Sequence, residues 1–285
     1  MTDTVKKNTA AGRIQLGARE IIEALPEHMH RRENFTLIYK EETGSTNADA
    51  MQLLHDGAMP DGGALPPFFA VVAGRQTGGC GTQGRHFYSP SGSGLYMSIA
   101  WHSGLHADGL PPVTAAAAVA VRFAVGYVLG QRADIKWVND VLVDGKKVCG
   151  ILAECSERSD GADIVIGIGI NLTPPEGGFP PELGGAGALC SHMEPEVAEE
   201  LAASVIAELC ALLDGGDAGE IMSRYREGCC SIGGKLRLRR DGGAVEYTAL
   251  DIGDDGELIV ESPDGERLTV ISAAEVCRPA ERENY

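Results

Sequence analysis

Four short segments of the chain combine glycines with hydrogen-bonding or charged residues, and each could bind a small polar ligand. The longest is segment 74–94, GRQTGGCGTQGRHFYSPSGSG, which contains seven glycines. Glycines let the backbone approach a ligand closely and turn several N–H groups towards it. Gln76 and Thr77 add neutral donors and acceptors, while Arg75 and Arg85 add positive charge. Such a loop suits an anionic or nucleotide ligand, although it matches neither the P-loop nor the dinucleotide-binding fingerprint. The alternative is a flexible surface loop.

The second segment, KWVND at residues 136–140, places a lysine within an apolar strand. Ile135 precedes Lys136 and Trp137 follows it. Because an unpaired ammonium in apolar surroundings is costly, we expect Lys136 to meet an anion. That anion could belong to a ligand, or it could be the carboxylate of Asp140 in an ordinary salt bridge. Asn139 and Asp140 could bind a cation or simply turn the chain.

The two remaining segments are GIGINL at residues 167–172 and GSTN at residues 44–47. Glycines inside a strand indicate that another group packs against the backbone, and Asn171 would then project a polar side chain at the strand end. Ser45 and Thr46 could offer two hydroxyls to a polar ligand. Each segment also has a structural interpretation: a crowded sheet that ends in a turn asparagine, and a helix N-cap.

The elements that must position these segments alternate between strands and helices. Apolar patterns predict strands at 35–41, 68–73, 95–101, 135–138, 141–143, 147–154 and 164–170, and helices at 11–26, 44–54, 111–130, 195–213 and 218–227. After residue 231, short strands at 235–240, 244–250, 258–262 and 267–272 are separated by Asp-Gly turns. The sequence therefore predicts an α+β fold, in which a central mixed β-sheet is flanked by helices and followed by a small C-terminal β-barrel. The expected divisions are an N-terminal segment with a short helix (1–34), a catalytic domain (35–230) and the barrel (231–285).

The charge balance excludes several classes of partner. The chain has 24 basic and 41 acidic residues, a formal net charge of −17. Such a surface repels phosphate backbones and anionic lipid heads, so we expect no nucleic-acid or membrane partner. The N-terminus lacks the apolar core of a secretory signal, and no apolar run is long enough to span a membrane. The eight cysteines lack C-x-x-C spacing, so we interpret them as reduced thiols of a cytoplasmic protein.

Taken in order, these segments resemble the motifs of the biotin protein ligase family. The family patterns are G-S-T-N, Q-T-x-G-R-G-R-x-G-R, W-x-S-P, N-L-Y-x-S, K-W-P-N-D, K-x-x-G-I-L-x-E and G-x-G-I-N. Here they stand at residues 44–47, 76–85, 87–90, 94–98, 136–140, 147–154 and 167–171. The resemblance covers about residues 35–280 and includes the sequence EVCR at 275–278. It implies the catalytic fold shared by class II aminoacyl-tRNA synthetases and biotin or lipoyl ligases. We expect the monofunctional type, without the DNA-binding domain of repressor-type members.

The resemblance implies an ATP-dependent ligase that activates biotin as biotinoyl-5'-adenylate and transfers it to a lysine of a biotin carboxyl carrier domain of a carboxylase. ATP and Mg²⁺ would be required, with Mg²⁺ carried on the ATP phosphates and no dedicated protein metal site. The enzyme would be a monomer or a homodimer, and periodicity does not decide between them. Lys136 and Arg85 would be catalytic. Biotin would be bound by Ser45, Thr46, Asn47, Gln76, Gly78, Gly79, Lys136, Gly150 and Gly167, and the nucleotide by Cys80, Gly81, Thr82, Gln83, Gly84, Arg85, Asn139, Lys147 and Asn171.

The chain departs from the family pattern in its glycine-rich loop. Cys80 and Thr82 stand where the family has arginines, and Arg85 alone matches. A charge-assisted hydrogen bond contributes about 1.5–3 kcal/mol, so we predict that the adenylate is retained less tightly, unless Arg75 compensates. Phe87 for Trp and Val138 for Pro are smaller departures. Two alternatives stay open: a degenerate homologue that binds biotin or adenylate without transfer, and a lipoyl- or octanoyl-type acyltransferase with Cys80 as nucleophile.

Overall fold

A computed structural model of the protein describes residues 14–31, 33–110, 112–215, 217–240 and 243–277. The larger of its two sheets has seven strands in the order β1-β2-β3-β7-β6-β5-β4. Strands β1 and β2 are parallel, and the other neighbours are antiparallel. The predicted mixed sheet is thus confirmed. The strands are β1 Phe35–Lys40, β2 Phe68–Ala73, β3 Gly94–Ser103, β4 Asp134–Lys136, β5 Asp140–Val143, β6 Lys146–Arg158 and β7 Gly161–Asn171.

Helices cover both faces of this sheet. They are α1 Ala18–Ala24, α2 Thr46–Asp56, α3 Val113–Leu129, α4 Pro195–Gly215 and α5 Ala218–Gly228. Strand β2 is apolar throughout because it is buried on both sides. Its residues Ala70 and Val72 belong to the main core, whereas Phe69 and Val71 pack in the smaller core beneath α2. The alanine run of α3 is buried, and small side chains allow α3 and α4 to pack closely together.

The described part of the N-terminal segment is packed onto the sheet domain. Ile21 is fully buried in the main core, and the Gly17 N–H donates a 2.8 Å hydrogen bond to Glu199 Oε1 on α4. Helix α1 is shorter than the predicted 11–26: it begins at Ala18, after the extended Gly17, and ends at Ala24, because Leu25 is extended before Pro26. Residues 11–13 lie outside the described part of the chain. The division at residue 34 stays a prediction.

The C-terminal strands form a separate antiparallel sheet, in the order β11-β10-β9-β8-β12. The predicted all-β module is confirmed as a small antiparallel sheet. In the described residues its five strands form an open sheet with β11 and β12 at its edges, without the closure expected of a barrel. Its strands are β8 Lys235–Arg240, β9 Gly243–Ile252, β10 Leu258–Glu261, β11 Arg267–Val270 and β12 Val276–Cys277. No helix in the described ranges is long and apolar enough to cross a membrane.

Candidate functional site

The four segments singled out in the sequence meet around one cavity of about 410 Å³. It lies where the start of α2 and the glycine-rich loop face strands β4 to β7. The predicted site residues in its wall are Ser45, Thr46, Asn47, Gln76, Cys80, Gly81, Thr82, Arg85, Lys136, Asn139, Lys147, Gly150, Gly167 and Asn171. Gly78, Gly79, Gln83 and Gly84 are not part of the wall.

Two of these glycines are explained by close packing of the loop. The Gly78 N–H donates to Gly44 O at 2.8 Å, so the loop lies directly against the GSTN segment. Gly79 is buried, and its carbonyl accepts the Phe87 N–H at 2.8 Å. A Cβ on Gly79 would lie 2.7 Å from Phe87 O. Gly79 therefore needs to be glycine for the shape of the loop, whereas a Cβ on Gly78 would lie in tight contact, 3.2 Å from Gly44 O.

The start of α2 is held by the glycine-rich loop. Ser45 is the N-cap residue, but its side chain makes no capping hydrogen bond. Gln76 Oε1 caps the helix instead, because it accepts a hydrogen bond from the Thr46 N–H at 2.9 Å. The same oxygen lies 3.1 Å from Thr46 Oγ1. Gln76 Nε2 donates to Ser89 Oγ at 3.1 Å. The hydroxyl of Ser45 is thereby left without a partner in the described residues, on the wall of the cavity.

Thr46 and Asn47 are buried polar residues that anchor α2 to the sheet. Ser98 Oγ on β3 lies 2.7 Å from Thr46 Oγ1 and 2.6 Å from Asn47 Oδ1. Asn47 Nδ2 donates to Glu154 Oε2 at 2.6 Å and to Leu152 O at 3.3 Å. Buried polar groups need such partners. The polar side-chain atoms of Thr46 and Asn47 are thus already bonded to other protein groups. Direct binding of a ligand by these two residues stays a prediction.

The glycines of β6 and β7 give space to side chains from above the sheet. Gly150 and Gly169 are paired across the two strands, and the ring of Phe87 covers both. A Cβ on Gly169 would lie 2.4 Å from Phe87 Cε1. At Gly167 the corresponding space holds the amide of Asn47, 2.3 Å from an ideal Cβ position. The inference that a group packs against these glycines is therefore correct, and in this structure the group is protein.

The cations of the cavity differ in how they are paired. Lys147 Nζ lies 2.5 Å from Asp140 Oδ1, so the salt bridge considered for Lys136 is made by Lys147 instead. Lys136 is exposed at the end of β4 and not enclosed by apolar groups, which corrects the expected burial. Within the described ranges Lys136 makes no ion pair. It is thus a cation in the wall with its charge available to a ligand.

The two arginines of the loop have different surroundings. Arg75 is paired with Glu42 at 2.8 Å and lies outside the cavity wall, so compensation by Arg75 finds no support in this geometry. Arg85 lines the cavity and is held by Thr82: Nε donates to Thr82 O at 2.9 Å and Nη2 to Thr82 Oγ1 at 2.7 Å.

The two cysteines of the wall have different environments. Cys80 is exposed, and its Sγ lies 3.3 Å from Gly78 O. Cys149 is fully buried, and burial raises the pKa of its thiol far above the usual value. Since the nucleophile is the thiolate, Cys149 is an inert structural residue at neutral pH.

Several wall residues are absent from the predicted site residues: Phe87, Tyr88, Met97, Gly169, Phe179 and Leu183. Asp140, considered in the sequence only as a cation ligand or salt-bridge partner, also lies in the wall. A signal existed for Gly169, which shares the glycine-rich strand with Gly167. Phe179 and Leu183 lie in a long Gly/Pro loop, and no pattern links that loop to the site. In the described residues no group of three or more His, Cys, Asp or Glu side chains could hold a metal ion.

Comparison with known proteins finds relatives of this chain. Residues 64–171 match the model of the "Biotin/lipoate A/B protein ligase family". The chain is 31% identical over 245 residues to the "Bifunctional ligase/repressor BirA" of Bacillus spizizenii, covering 80% of this chain and 70% of that protein. It is 32% identical over 244 residues to the "Biotin--[acetyl-CoA-carboxylase] ligase" of Paracoccus denitrificans, covering 82% and 97% respectively.

A solved structure has the same fold. The biotin protein ligase from Aquifex aeolicus, determined in complex with biotin and ATP, superposes with a TM-score of 0.65 at 23% identity. The match covers 85% of this chain and 97% of the Aquifex chain. At 23% identity, the match shows that the two chains share a fold.

Proposed function

The chain belongs to the biotin protein ligase family, and from this premise we propose that it activates biotin with ATP and transfers the biotinoyl group to a lysine of a biotin carboxyl carrier domain. One observation supports this above the others. The cavity wall offers two environments: the neutral Ser45 hydroxyl, which has no partner among the described residues, and the cations Lys136 and Arg85. A neutral ureido ring and an anionic carboxylate need those two environments.

In the first step, a carboxylate oxygen of biotin attacks the α-phosphorus of ATP, and pyrophosphate leaves. Negative charge builds on the phosphorus oxygens as this bond forms. Lys136 and Arg85 stabilise that charge, which is the electrostatic contribution that enzymes commonly use. Because Lys136 has no carboxylate partner among the described residues, its charge is not already neutralised. The cavity also holds the two reactants in line, which lowers the barrier further.

In the second step, the lysine amine of the carrier domain attacks the acyl carbon of the adenylate. An amide bond forms as the bond between the acyl carbon and the phosphate oxygen breaks, AMP leaves, and the proton of the amine nitrogen passes to water. Asp140 lies in the cavity wall but its carboxylate is bound to Lys147, so Lys147 contributes less free positive charge than Lys136. The chemistry requires no protein thiol.

Mg²⁺ fits the proposed site as a partner of ATP. Mg²⁺ is usually bound by substrate phosphates, water and one or two carboxylates. The wall contains the carboxylates of Asp140 and Glu182. Bound there, Mg²⁺ would neutralise phosphate charge. Asp140 would first have to release Lys147, to which its carboxylate is bound.

The experiment is transfer of radiolabelled biotin to a purified carrier domain in the presence of ATP. We expect the wild type to biotinylate the carrier and Lys136→Ala to lower the rate about 10- to 100-fold, because a hydrogen bond to a charged group contributes about 1.5–3 kcal/mol. Lys146→Ala is the matched control, since Lys146 is also exposed, on the neighbouring hairpin, but lies outside the wall of the cavity.

Absence of labelled carrier with the wild type would overturn the proposed function. A protein that binds biotin and ATP without transfer would instead be the degenerate binder considered above. Equal losses for Lys136→Ala and Lys146→Ala would remove Lys136 from its assigned role. The predicted weak retention of the adenylate is measured separately, as its dissociation rate in the absence of carrier.

A further inference from the structure

The tip of the glycine-rich loop is a small closed turn built around Arg85. The Gly81 N–H donates to Arg85 O at 2.7 Å, which joins the two ends of the turn. Gln83 and Gly84 form its outer part with positive φ values of 62° and 68°, and neither lines the cavity. Thr82 and Arg85 do line the cavity. The turn therefore presents these two side chains together to the ligand space.

Thr82 binds Arg85 through two different oxygens. The backbone carbonyl accepts from Nε at 2.9 Å and the hydroxyl accepts from Nη2 at 2.7 Å. A guanidinium has five N–H donors in a planar fork. Two of them are used by Thr82, so three remain: both on Nη1 and the second on Nη2. One N–H on each of Nη1 and Nη2 points outward from the fork, and this pair can bind an oxyanion in bidentate fashion.

We propose that Thr82 is a positioning residue, which holds the guanidinium of Arg85 ready to bind the phosphate of the adenylate. This inference rests on the proposed function. An exposed arginine otherwise loses rotamer freedom when it binds a ligand, and holding it in place beforehand reduces that loss. The threonine hydroxyl is the replaceable part of this arrangement, since the carbonyl bond depends on the backbone.

The test measures the dissociation rate of biotinoyl-adenylate for the wild type, Thr82→Val, Thr82→Ser, Arg85→Ala and Thr82→Val/Arg85→Ala. We expect Thr82→Val to accelerate dissociation about tenfold, which corresponds to about 1.4 kcal/mol. Thr82→Ser should match the wild type, because it keeps the hydroxyl. The double variant should behave like Arg85→Ala alone, because Thr82 acts through Arg85. An unchanged melting temperature in each variant would show that the fold is intact.

Three results would overturn the proposal: an unchanged rate in Thr82→Val, an effect of Thr82→Val that persists in the Arg85→Ala background, or a loss in Thr82→Ser as large as that in Thr82→Val. An unchanged rate in Arg85→Ala would also overturn it. These results differ from failure of the proposed function, in which the wild type forms no adenylate and labels no carrier.

Discussion

Cys80 is exposed and lines the ligand cavity. A substitution at Cys80 therefore tests whether the acyl group passes directly to an amine or first to a thiol. The sulfur of Cys80 contacts Gly78 O and occupies a family arginine position. A role as nucleophile would require an acyl group to pass through a thioester. In the proposed reaction ATP activates the carboxylate and the acceptor amine attacks directly, so the thiol has no step to perform.

We predict that Cys80→Ala retains biotin transfer within about twofold of the wild type, since exposed substitutions outside the chemistry change free energies by about 0.5 kcal/mol or less. The measurement is labelled transfer to the carrier domain. Cys155→Ala is the control, because Cys155 is another exposed cysteine and lies outside the cavity wall. Loss of transfer in Cys80→Ala alone, with a thioester trapped on the wild type, would contradict the prediction.

At the scale of elements, the paired glycines of β6 and β7 determine how deep the cavity floor lies. Phe87 rests on Gly150 and Gly169, so the depth depends on the absence of two Cβ atoms. The ring can be held this close to the sheet only where both strands carry glycine at the paired position.

We predict that Gly169→Ala lifts the Phe87 ring into the cavity and weakens biotin binding about tenfold or more, because overpacking of this kind costs about 1–3 kcal/mol. The measurement is biotin affinity by calorimetry, together with urea unfolding. Gly185→Ala is the matched control, since Gly185 also lines the cavity but no atom lies within 4 Å of an added Cβ.

A further variant tests the cause of this effect. In Gly169→Ala/Phe87→Ala the methyl group has space, so the stability lost should be less than the sum of the two single losses. Additive losses would show that the methyl clashes with something other than the ring, and the assigned contact would be wrong.

The same elements show what the sequence can predict. Strands β2 and β8 match their predicted bounds, because apolar or alternating residues end abruptly at turn residues. Strands β6 and β7 are longer than predicted, since they continue as a hairpin through polar residues such as Glu157. The two-residue β12 has too few residues to show a pattern.

The site divides in the same way. That the four segments form one site is what the resemblance to the biotin protein ligase family implied, and they do line one cavity. The capping of α2 by Gln76 could not be predicted, since it depends on the distance between two segments 30 residues apart in the chain. The pairing of Lys147 with Asp140 depends on the register of the β5–β6 hairpin, which the turn residues alone do not determine. Lys136 was expected inside the sheet because Ile135 and Trp137 flank it, but alternation along the strand turns it to the outside.

At the scale of the whole molecule, the C-terminal sheet is bound to the segment that carries Lys136. Trp137 Nε1 donates to Gly256 O at 2.9 Å, and the Trp137 N–H donates to Ser231 Oγ at 3.0 Å. Arg226 Nε adds a 2.6 Å bond to Ile252 O. Trp137, which is bonded to the C-terminal module, is therefore adjacent in the chain to Lys136, which lines the cavity.

Removing one of these bonds should loosen the C-terminal sheet before the central sheet. We predict that Trp137→Phe speeds amide exchange in β8 and β9 about fivefold, because an ordinary hydrogen bond contributes about 1 kcal/mol and local opening follows that free energy. Exchange in β3 and β7 should change less. Trp101→Phe is the control: Trp101 is equally buried but packs against Phe68 on the central sheet, so its loss should act there. Equal acceleration of both sheets by Trp137→Phe would mean that the molecule opens as one unit. The bond to Gly256 would then not hold the C-terminal sheet specifically to the segment that carries Lys136.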